Sequence, residues 1–356
     1  MDLLDAVALS TLPGIARPKA AAVFKELREQ AAGVTLEEVI AACAPALHPE
    51  GVAANARSRA RDLMSVAARA GIDVIRDDDV RYPPLLRTIA DPPPVLWVHG
   101  HAEVLSRPAV AIVGSRAATP YAIEVAGRLG GELAGRGVLV VSGLARGADG
   151  AAHRGCLSAG GVTVAVLGCG PDIVYPPEHD ALAARIRADG ALVSELGPGA
   201  PPLPDHFPQR NRLISGISLA VVVVEANERS GSLITARCAL EQGRDVMAVP
   251  GSVLGGRNRG SHALLKDGAK VVESADDILE ELGWPALRSA GNISANPQTA
   301  DPLLARLTAG ESYDLDEMSA TVGLTGSQLL PRLTEWEMHG LLLRIAGGRY
   351  ALAGRK

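Results

Sequence analysis

Residues 207–216 read FPQRNRLISG, and residues 219–224, just beyond them, read LAVVVV, the most apolar run in the chain. A short run this rich in valine predicts a strand that is buried on both faces of a parallel sheet. Arg210 and Arg212 stand just ahead of it, although a buried charge without a partner costs several kcal/mol. Two guanidinium groups flanking Asn211 suit a bound polyanion better, because each is a rigid fork of donors. The two segments together predict an α/β sheet that carries a phosphate-binding surface.

Short β-branched runs alternate with helical stretches on both sides of this strand, from residue 81 to residue 284. The alternation predicts strand–helix units, and hence a mostly parallel sheet with helices on both faces. The predicted strands are Val95–Val98, Ala109–Val113, Val138–Ser142, Val162–Leu167, Leu192–Ser194, Leu219–Glu225, Asp245–Val249 and Lys270–Val272. The predicted helices are Tyr121–Ala134, Gly147–Ala159, Glu178–Ala188, Ser232–Gln242 and Ala275–Leu282.

Two further regions flank this core. Residues 1–80 look helical, and the stretch 12–20 resembles the hairpin of SAM-like and helix–hairpin–helix domains, for which we expect a packing role. Residues 285–297 are small and polar, which is typical of a linker. Residues 298–356 are predicted to form two helices and then a β-hairpin with a Gly-Gly turn, the outline of a winged helix.

Polar, glycine-rich loops follow the predicted strands at their carboxyl ends, where open α/β sheets bind ligands. Glycines let the backbone approach a ligand closely, and serine and arginine side chains hold phosphates. The candidate binding residues are Gly114, Ser115, Arg116, Gly143, Arg146, Gly147, Phe207, Arg210, Asn211, Arg212, Ser230 and Gly231. Because several such loops occur in succession, and three bring an arginine (Arg116, Arg146 and Arg229), the sequence predicts an anion site.

The loops lack the motifs of a dinucleotide site, a P-loop or a nucleophile elbow. His153 and His206 have no catalytic partner by spacing, so both are predicted to be structural. Glu225 is either a general base or, as we prefer, an ion-pair partner of Arg210 or Arg212. An arginine rim without a catalytic set predicts a single-stranded nucleic acid held by its backbone, with Phe207 stacked on a base. The alternative for Phe207 is a hydrophobic staple at the head of the following helix.

Composition limits the function classes. With 3% aromatic residues the chain lacks the rings of a multi-base stacking platform, and its net charge of −5 requires nucleic acid to bind at a local patch. Four cysteines, Cys43, Cys156, Cys169 and Cys238, show no C-x-x-C spacing, which predicts buried thiols and neither a metal site nor a disulfide framework. Without a signal peptide or a long apolar run, we expect a cytoplasmic protein with no membrane span.

Five ordered segments resemble the DNA-processing protein A (DprA/Smf) family: VAIVGSR at 110–116, SGLARGAD at 142–149 with His153 beyond it, FPQRNR at 207–212, SGSLITA at 230–236 and AVPG at 248–251. The resemblance implies an extended Rossmann-like core that binds single-stranded DNA, with no catalysis and no cofactor. It implies loading of the RecA recombinase onto incoming DNA during natural transformation. On this chain the implied phosphate contacts are Ser115, Arg116, Arg146, Arg210, Asn211 and Arg212, with Phe207 stacking on a base.

The resemblance also implies self-association near residues 260–269, where the family's usual asparagine is His262. Leu265 and Val271 are the candidates for an apolar contact in a homodimer, and the alternative is that both belong to the core. Two other functions stay open at this point. One is a nucleotide- or phosphoribosyl-cleaving enzyme that uses Glu225, and the other is a duplex-DNA binder that uses the C-terminal region.

Overall fold

The computed structural model describes residues 1–12, 14–30, 33–46, 48–283, 303–308, 311–338, 341–345 and 349–352, so the predicted linker at 285–297 lies outside the described residues. The main sheet consists of β1 (Ile72–Arg76), β2 (Val95–Gly100), β3 (Ala109–Val113), β4 (Leu139–Ser142), β5 (Thr163–Val166), β6 (Ala191–Ser194), β7 (Ala220–Val223), β8 (Asp245–Ala248) and β9 (Lys270–Val271). Its strand order is β1-β2-β6-β5-β4-β3-β7-β8-β9. The neighbours from β6 to β9 are parallel, and β2 pairs antiparallel with both β1 and β6. The predicted mostly parallel α/β sheet is therefore confirmed.

The helices preceding the C-terminal region are α1 (Leu3–Ser10), α2 (Arg17–Gln30), α3 (Leu36–Cys43), α4 (Pro49–Ala70), α5 (Pro120–Gly135), α6 (Ala148–Ser158), α7 (Asp180–Asp189), α8 (His206–Ile217), α9 (Ser232–Glu241), α10 (Arg259–Lys266) and α11 (Ala275–Glu281). Three elements up to residue 283 have no range among the predicted ones: β1, α8 and α10. Strand β1 lies inside the stretch assigned to the helical region, so the sheet begins before residue 81. Helix α8 tolerates Pro208 because a proline in the first turn lacks only an N–H that has no intrahelical partner.

Strand β3 shows why the sheet is covered on both faces. Ala109, Ala111 and Val113 belong to one apolar core, which also contains Leu213, Ile214 and Ile217 of α8. Val110 and Ile112 belong to a second core, with Leu129 and Leu133 of α5. From β3 the chain proceeds through β4 and β5 in one direction, whereas β7, β8 and β9 extend in the other. The loops after β3 and β7 therefore diverge, and a crevice opens at this topological switch point.

The flanking regions have cores of their own. Helices α1 to α4 share an apolar core that also includes Val95 and Trp97 of β2, so the helical region packs on the sheet. The C-terminal region contains β10 (Ser312–Tyr313), α12 (Leu315–Val322), α13 (Gly326–Met338), β11 (Leu342–Ile345) and β12 (Arg349–Leu352), with the antiparallel strand order β10-β12-β11. The predicted Gly-Gly turn lies outside the described residues, and the winged-helix assignment and the domain limits stay predictions. None of the described helices combines the length and the apolar character needed to cross a membrane.

Candidate nucleic-acid interface

An open cleft of about 600 Å³ lies at the carboxyl ends of the central strands. The loops that follow β3 and β7 form its two sides, and α8 contributes a wall. The cleft brings together these sequence-predicted residues: Gly114, Ser115, Arg116, Phe207, Arg210, Asn211, Ser230 and Gly231. A small side pocket next to it is lined by Gly143 and Arg146, together with Arg116 and Phe207.

Two exposed arginines provide positive charge in the cleft. Arg116 follows β3 and Arg229 follows β7, so they stand on opposite sides of the crevice. Within the part of the chain that the structure describes, neither side chain forms an ion pair. Arg116 instead lies over the ring of Phe207, with its guanidinium carbon 5.3 Å from the ring centroid. Both guanidinium groups thus retain donors for an anion.

The aromatic wall of the cleft consists of Phe207 and Tyr175. Their ring centroids are 5.4 Å apart, with an interplanar angle of 43°. Phe207 is the second residue of α8, whose N-cap is Asp205. A hydrophobic staple uses the residue that precedes the N-cap, so the alternative role of Phe207 as a staple is wrong. Tyr175 was missed in the sequence. The signal for it was an aromatic residue directly before Pro176, in a chain with few aromatics and in the loop after a strand.

Arg210 belongs to the floor of the cleft. It is only 4% exposed, and its Nη1 donates to the carbonyl oxygens of Gly143, at 2.9 Å, and of Val166. Burial lowers the pKa of Arg210 to about 10, so it stays protonated at neutral pH beside the buried Asp149. The backbone N–H of Gly143 donates to Asp149 Oδ2 at 3.1 Å. Arg210 therefore ties two loops to α8 while it lines the cleft, and its phosphate contact stays a prediction.

Arg212 lies on the opposite side of α8, and the predicted phosphate contact is wrong. Its Nη2 donates to Glu195 Oε2 at 2.6 Å, and its Nε lies 3.1 Å from Asp91 Oδ2. The reason is helical geometry, because Phe207, Arg210 and Asn211 recur at the spacing of one helical face and Arg212 falls outside it.

Glu225 also differs from its predicted role. It is 2% exposed, and its carboxylate accepts hydrogen bonds from the N–H of Thr119, at 3.3 Å, and from Thr119 Oγ1, at 2.7 Å. Thr119 is the N-cap of α5, so Glu225 anchors the start of that helix. Among the described residues no arginine pairs with Glu225, so the predicted ion pair is wrong, and both carboxylate oxygens accept hydrogen bonds from Thr119.

The four candidate glycines differ in how much space a side chain would have. A Cβ on Gly114 would lie 2.7 Å from the Cβ of Ala148, and one on Gly143 would lie 2.6 Å from Arg210 Nη2. Gly147 has φ +72°, and a Cβ there would collide with the carbonyl oxygen of Ser115. Around Gly231, by contrast, the described residues place no heavy atom within 4 Å of a Cβ, and φ is −62°. Gly231 lines the open cleft, so the empty space beside it is available to a ligand.

The remaining polar candidates lie beside Gly231 or on the side pocket. Asn211 Nδ2 donates to the Gly231 carbonyl at 3.2 Å, and the hydroxyls of Ser230 and Ser232 are 2.7 Å apart at the start of α9. Arg146 is exposed, and its Nε pairs with Glu178.

The histidines and cysteines outside the cleft agree in part with the predictions made from the sequence. His153 is fully buried with its Nδ1 2.7 Å from Thr163 Oγ1, which agrees with the predicted structural role. His206 Nδ1 lies 3.2 Å from the Pro201 carbonyl, and its structural role stays a prediction. Cys43, Cys156 and Cys169 are buried, whereas Cys238 is only half-buried.

The self-association candidates lie on α10 and β9. His262 Nε2 is 3.1 Å from the Gly251 carbonyl, and Leu265 is half-buried. Val271 is 47% exposed on the edge strand, so it is not a core residue.

Fold and site together define the class: a mostly parallel α/β protein with an arginine-bearing cleft at its topological switch point. Within that class, the chain belongs to the DNA recombination-mediator protein A family, whose model matches residues 73–283. It is 43% identical to protein Smf of Escherichia coli over 77% of this chain and 76% of that protein. It is 39% identical to the putative DNA processing protein DprA of Mycobacterium tuberculosis over 83% of each.

Two solved structures share this fold. The X-ray structure of DprA from Streptococcus pneumoniae matches with a TM-score of 0.70 and 36% identity, covering 79% of this chain and 98% of that one. DprA from Helicobacter pylori, whose structure concerns its single-stranded DNA binding mode, matches with a TM-score of 0.54 and 29% identity, covering 59% of this chain and 95% of that one. The predicted family is therefore confirmed.

Proposed function

We propose that this protein is a single-stranded DNA-binding recombination mediator that protects incoming DNA and loads the RecA recombinase during natural transformation. The observation that carries the proposal is the open cleft, which is lined by the exposed Arg116 and Arg229 and by the rings of Phe207 and Tyr175. Single-stranded nucleic acid offers both phosphates and unpaired bases, and such a strand is held by cations and by stacking on aromatic rings. The single-stranded DNA binding described for the H. pylori relative supports the same ligand.

The ligand is proposed to be a single strand because of the aromatic wall. A base within a duplex is stacked on its neighbours, and reaching a ring in a cleft requires it to leave that stack. In a single strand the bases are already available. We therefore expect the cleft to favour the single strand over the matching duplex.

The proposed action involves no turnover. Glu225, the candidate acid of the alternative enzyme hypothesis, is engaged with Thr119 on both of its oxygens. RecA loading in the cytoplasm is proposed from family membership, since a mediator of recombination acts on DNA together with a recombinase. Self-association into a homodimer is proposed near residues 260–269 and the neighbouring edge strand β9, with His262, Leu265 and the exposed Val271 as the candidate contacts.

The test is a fluorescence-anisotropy titration of the purified protein with a labelled oligo-dT strand and with a duplex of the same length, across a salt series. We expect tighter binding to the single strand, with log K falling by about 0.7 for each phosphate contact per tenfold rise in salt. Absence of single-strand binding at moderate salt would contradict the proposal. A second assay measures the rate of RecA filament formation on the same strand with and without the protein. If the protein does not accelerate filament formation, the loading role is contradicted.

Deleting residues 298–356 separates this proposal from a duplex-binding C-terminal region. The cleft lies entirely in the α/β core, so the truncated protein is expected to keep its single-strand affinity. If the truncated protein lost all DNA binding, the deleted region, and not the cleft, would be the DNA-binding site.

A further inference from the structure

Glu178 lies beside one arginine of the predicted interface and pairs with it. The ion pair joins Arg146 Nε to Glu178 Oε1, and the two side chains are 57% and 48% exposed. Arg146 belongs to the loop after β4, and Glu178 belongs to the short 3₁₀ helix Pro177–His179 after β5. Arg146 also lines the side pocket with Arg116 and Phe207, so Glu178 acts on a cation next to the cleft.

The backbone that carries Glu178 is held in place. The next residue, His179, is buried, and its Nδ1 lies 2.9 Å from the Leu144 carbonyl in the Arg146 loop. Three residues before Glu178, Tyr175 packs against Phe207. His179 thus ties the Glu178 segment to the Arg146 loop, and Tyr175 holds the same segment against α8. The Glu178 carboxylate is therefore presented to Arg146 without a loop movement.

A carboxylate and a DNA phosphate are the same kind of partner for a guanidinium group, because both offer anionic oxygens to its N–H donors. Hydrogen bonding from Arg146 lowers the pKa of Glu178, which keeps the carboxylate ionised at neutral pH. The pair is exposed to solvent, and exposed ion pairs are weak enough for a competing anion to replace. In the described part of the chain Arg116 and Arg229 have no such carboxylate partner.

We infer that Glu178 is an intramolecular competitor of DNA phosphate at Arg146. The inference rests on the proposed function, since it concerns the same cleft. With Glu178 in place, a strand held at Arg116 and Arg229 gains the Arg146 contact only by displacing a carboxylate. Glu178 therefore limits how tightly the protein holds single-stranded DNA.

The test is the oligo-dT titration repeated with Glu178→Gln, which keeps the side-chain shape and removes the charge. We expect the slope of log K against log salt to steepen by about 0.7, which corresponds to about fivefold tighter binding at 0.1 M salt. The gain should vanish in an Arg146→Ala background, because the competition needs that guanidinium group. A thermal melt of each variant checks that it is folded.

The matched control is Asp73→Asn, which removes one exposed negative charge that pairs with Arg81. Asp73 lies on β1, four strands from β4, which is roughly 19 Å away at the usual strand spacing and beyond the Debye length. An equal gain in this control would show a net-charge effect and overturn the inference. So would unchanged or weaker binding by Glu178→Gln while the wild-type protein binds. If neither protein binds the strand, the proposed function itself fails and the inference fails with it.

Discussion

The cleft and the interior behind helix α8 both contain arginines, and they use them in opposite ways. In the cleft, Arg116 and Arg229 are exposed and, among the described residues, unpaired. Behind α8, Arg212 is buried between Asp91 and Glu195. The comparison teaches that burial and neighbouring carboxylates decide what an arginine does, whereas its place in a motif does not. Arg210 and Arg212 belong to the same short segment and neither is a free cation of the cleft.

The largest expected effect comes from Arg212→Ala. The substitution leaves the buried Glu195 and the half-buried Asp91 without their cation, which costs about 3–5 kcal/mol of unfolding free energy. Urea unfolding at pH 7 measures it. Arg116→Ala is the matched control, because an exposed, unpaired arginine should change the unfolding free energy by no more than about 0.5 kcal/mol. If Arg212→Ala stayed fully stable but lost DNA affinity, Arg212 would be a DNA-binding residue like the arginines of the cleft, and the contrast between the two regions would be wrong.

The second prediction concerns the interior at low pH. Burial lowers the pKa of His153 from 6.5 to about 3, so the folded protein resists protonation there while the unfolded chain does not. The stabilisation is complete above pH 6.5 and is lost as the pH falls from 6.5 towards 3, by about 1.4 kcal/mol per pH unit. Between pH 7 and pH 5 the unfolding free energy should fall by about 2 kcal/mol from this residue. Urea unfolding at both pH values checks it, and His153→Gln should show a correspondingly smaller pH dependence.

The third prediction tests the cleft. Replacing both Arg116 and Arg229 by alanine removes two phosphate contacts, so the salt slope should become shallower by about 1.4 and single-strand affinity should fall about 25-fold at 0.1 M salt. The same anisotropy titration measures this loss. The matched control replaces Arg59 and Arg61 by alanine, because both are exposed on α4, away from the cleft. An equal loss in the control would mean that overall charge, and not the cleft, attracts the DNA.

The smallest expected effect comes from Phe207→Leu. Leucine keeps an apolar side chain in the wall but cannot stack on a base, so affinity should fall by about 1 kcal/mol, or about fivefold. The salt slope should stay the same, because no phosphate contact is lost, and this separates the ring from the arginines. Phe207→Tyr should bind like the wild type. A changed slope in Phe207→Leu would show that the ring acts by positioning Arg116, which lies over it.

The sequence predicted strands β2 to β8 well because each contains a short, nearly continuous apolar run, a local pattern that burial on both faces requires. It also located the cleft, since the loops after parallel strands meet at one edge of a sheet. It missed β1, whose pattern is mixed and whose pairing with β2 is antiparallel. It gave no bounds for α8, because a proline in the first turn disguised its start.

What the sequence by itself determined is the α/β class, the family and the edge of the sheet where the site lies. Only the tertiary structure decided which polar residues face that site. Arg212 is neutralised by Glu195, 17 residues away, and by the still more distant Asp91, while Glu225 is held by Thr119, 106 residues earlier. Residue spacing reports local periodicity. The free energy of a charge depends on solvent exposure and on partners brought close by folding, and the linear chain does not contain those distances.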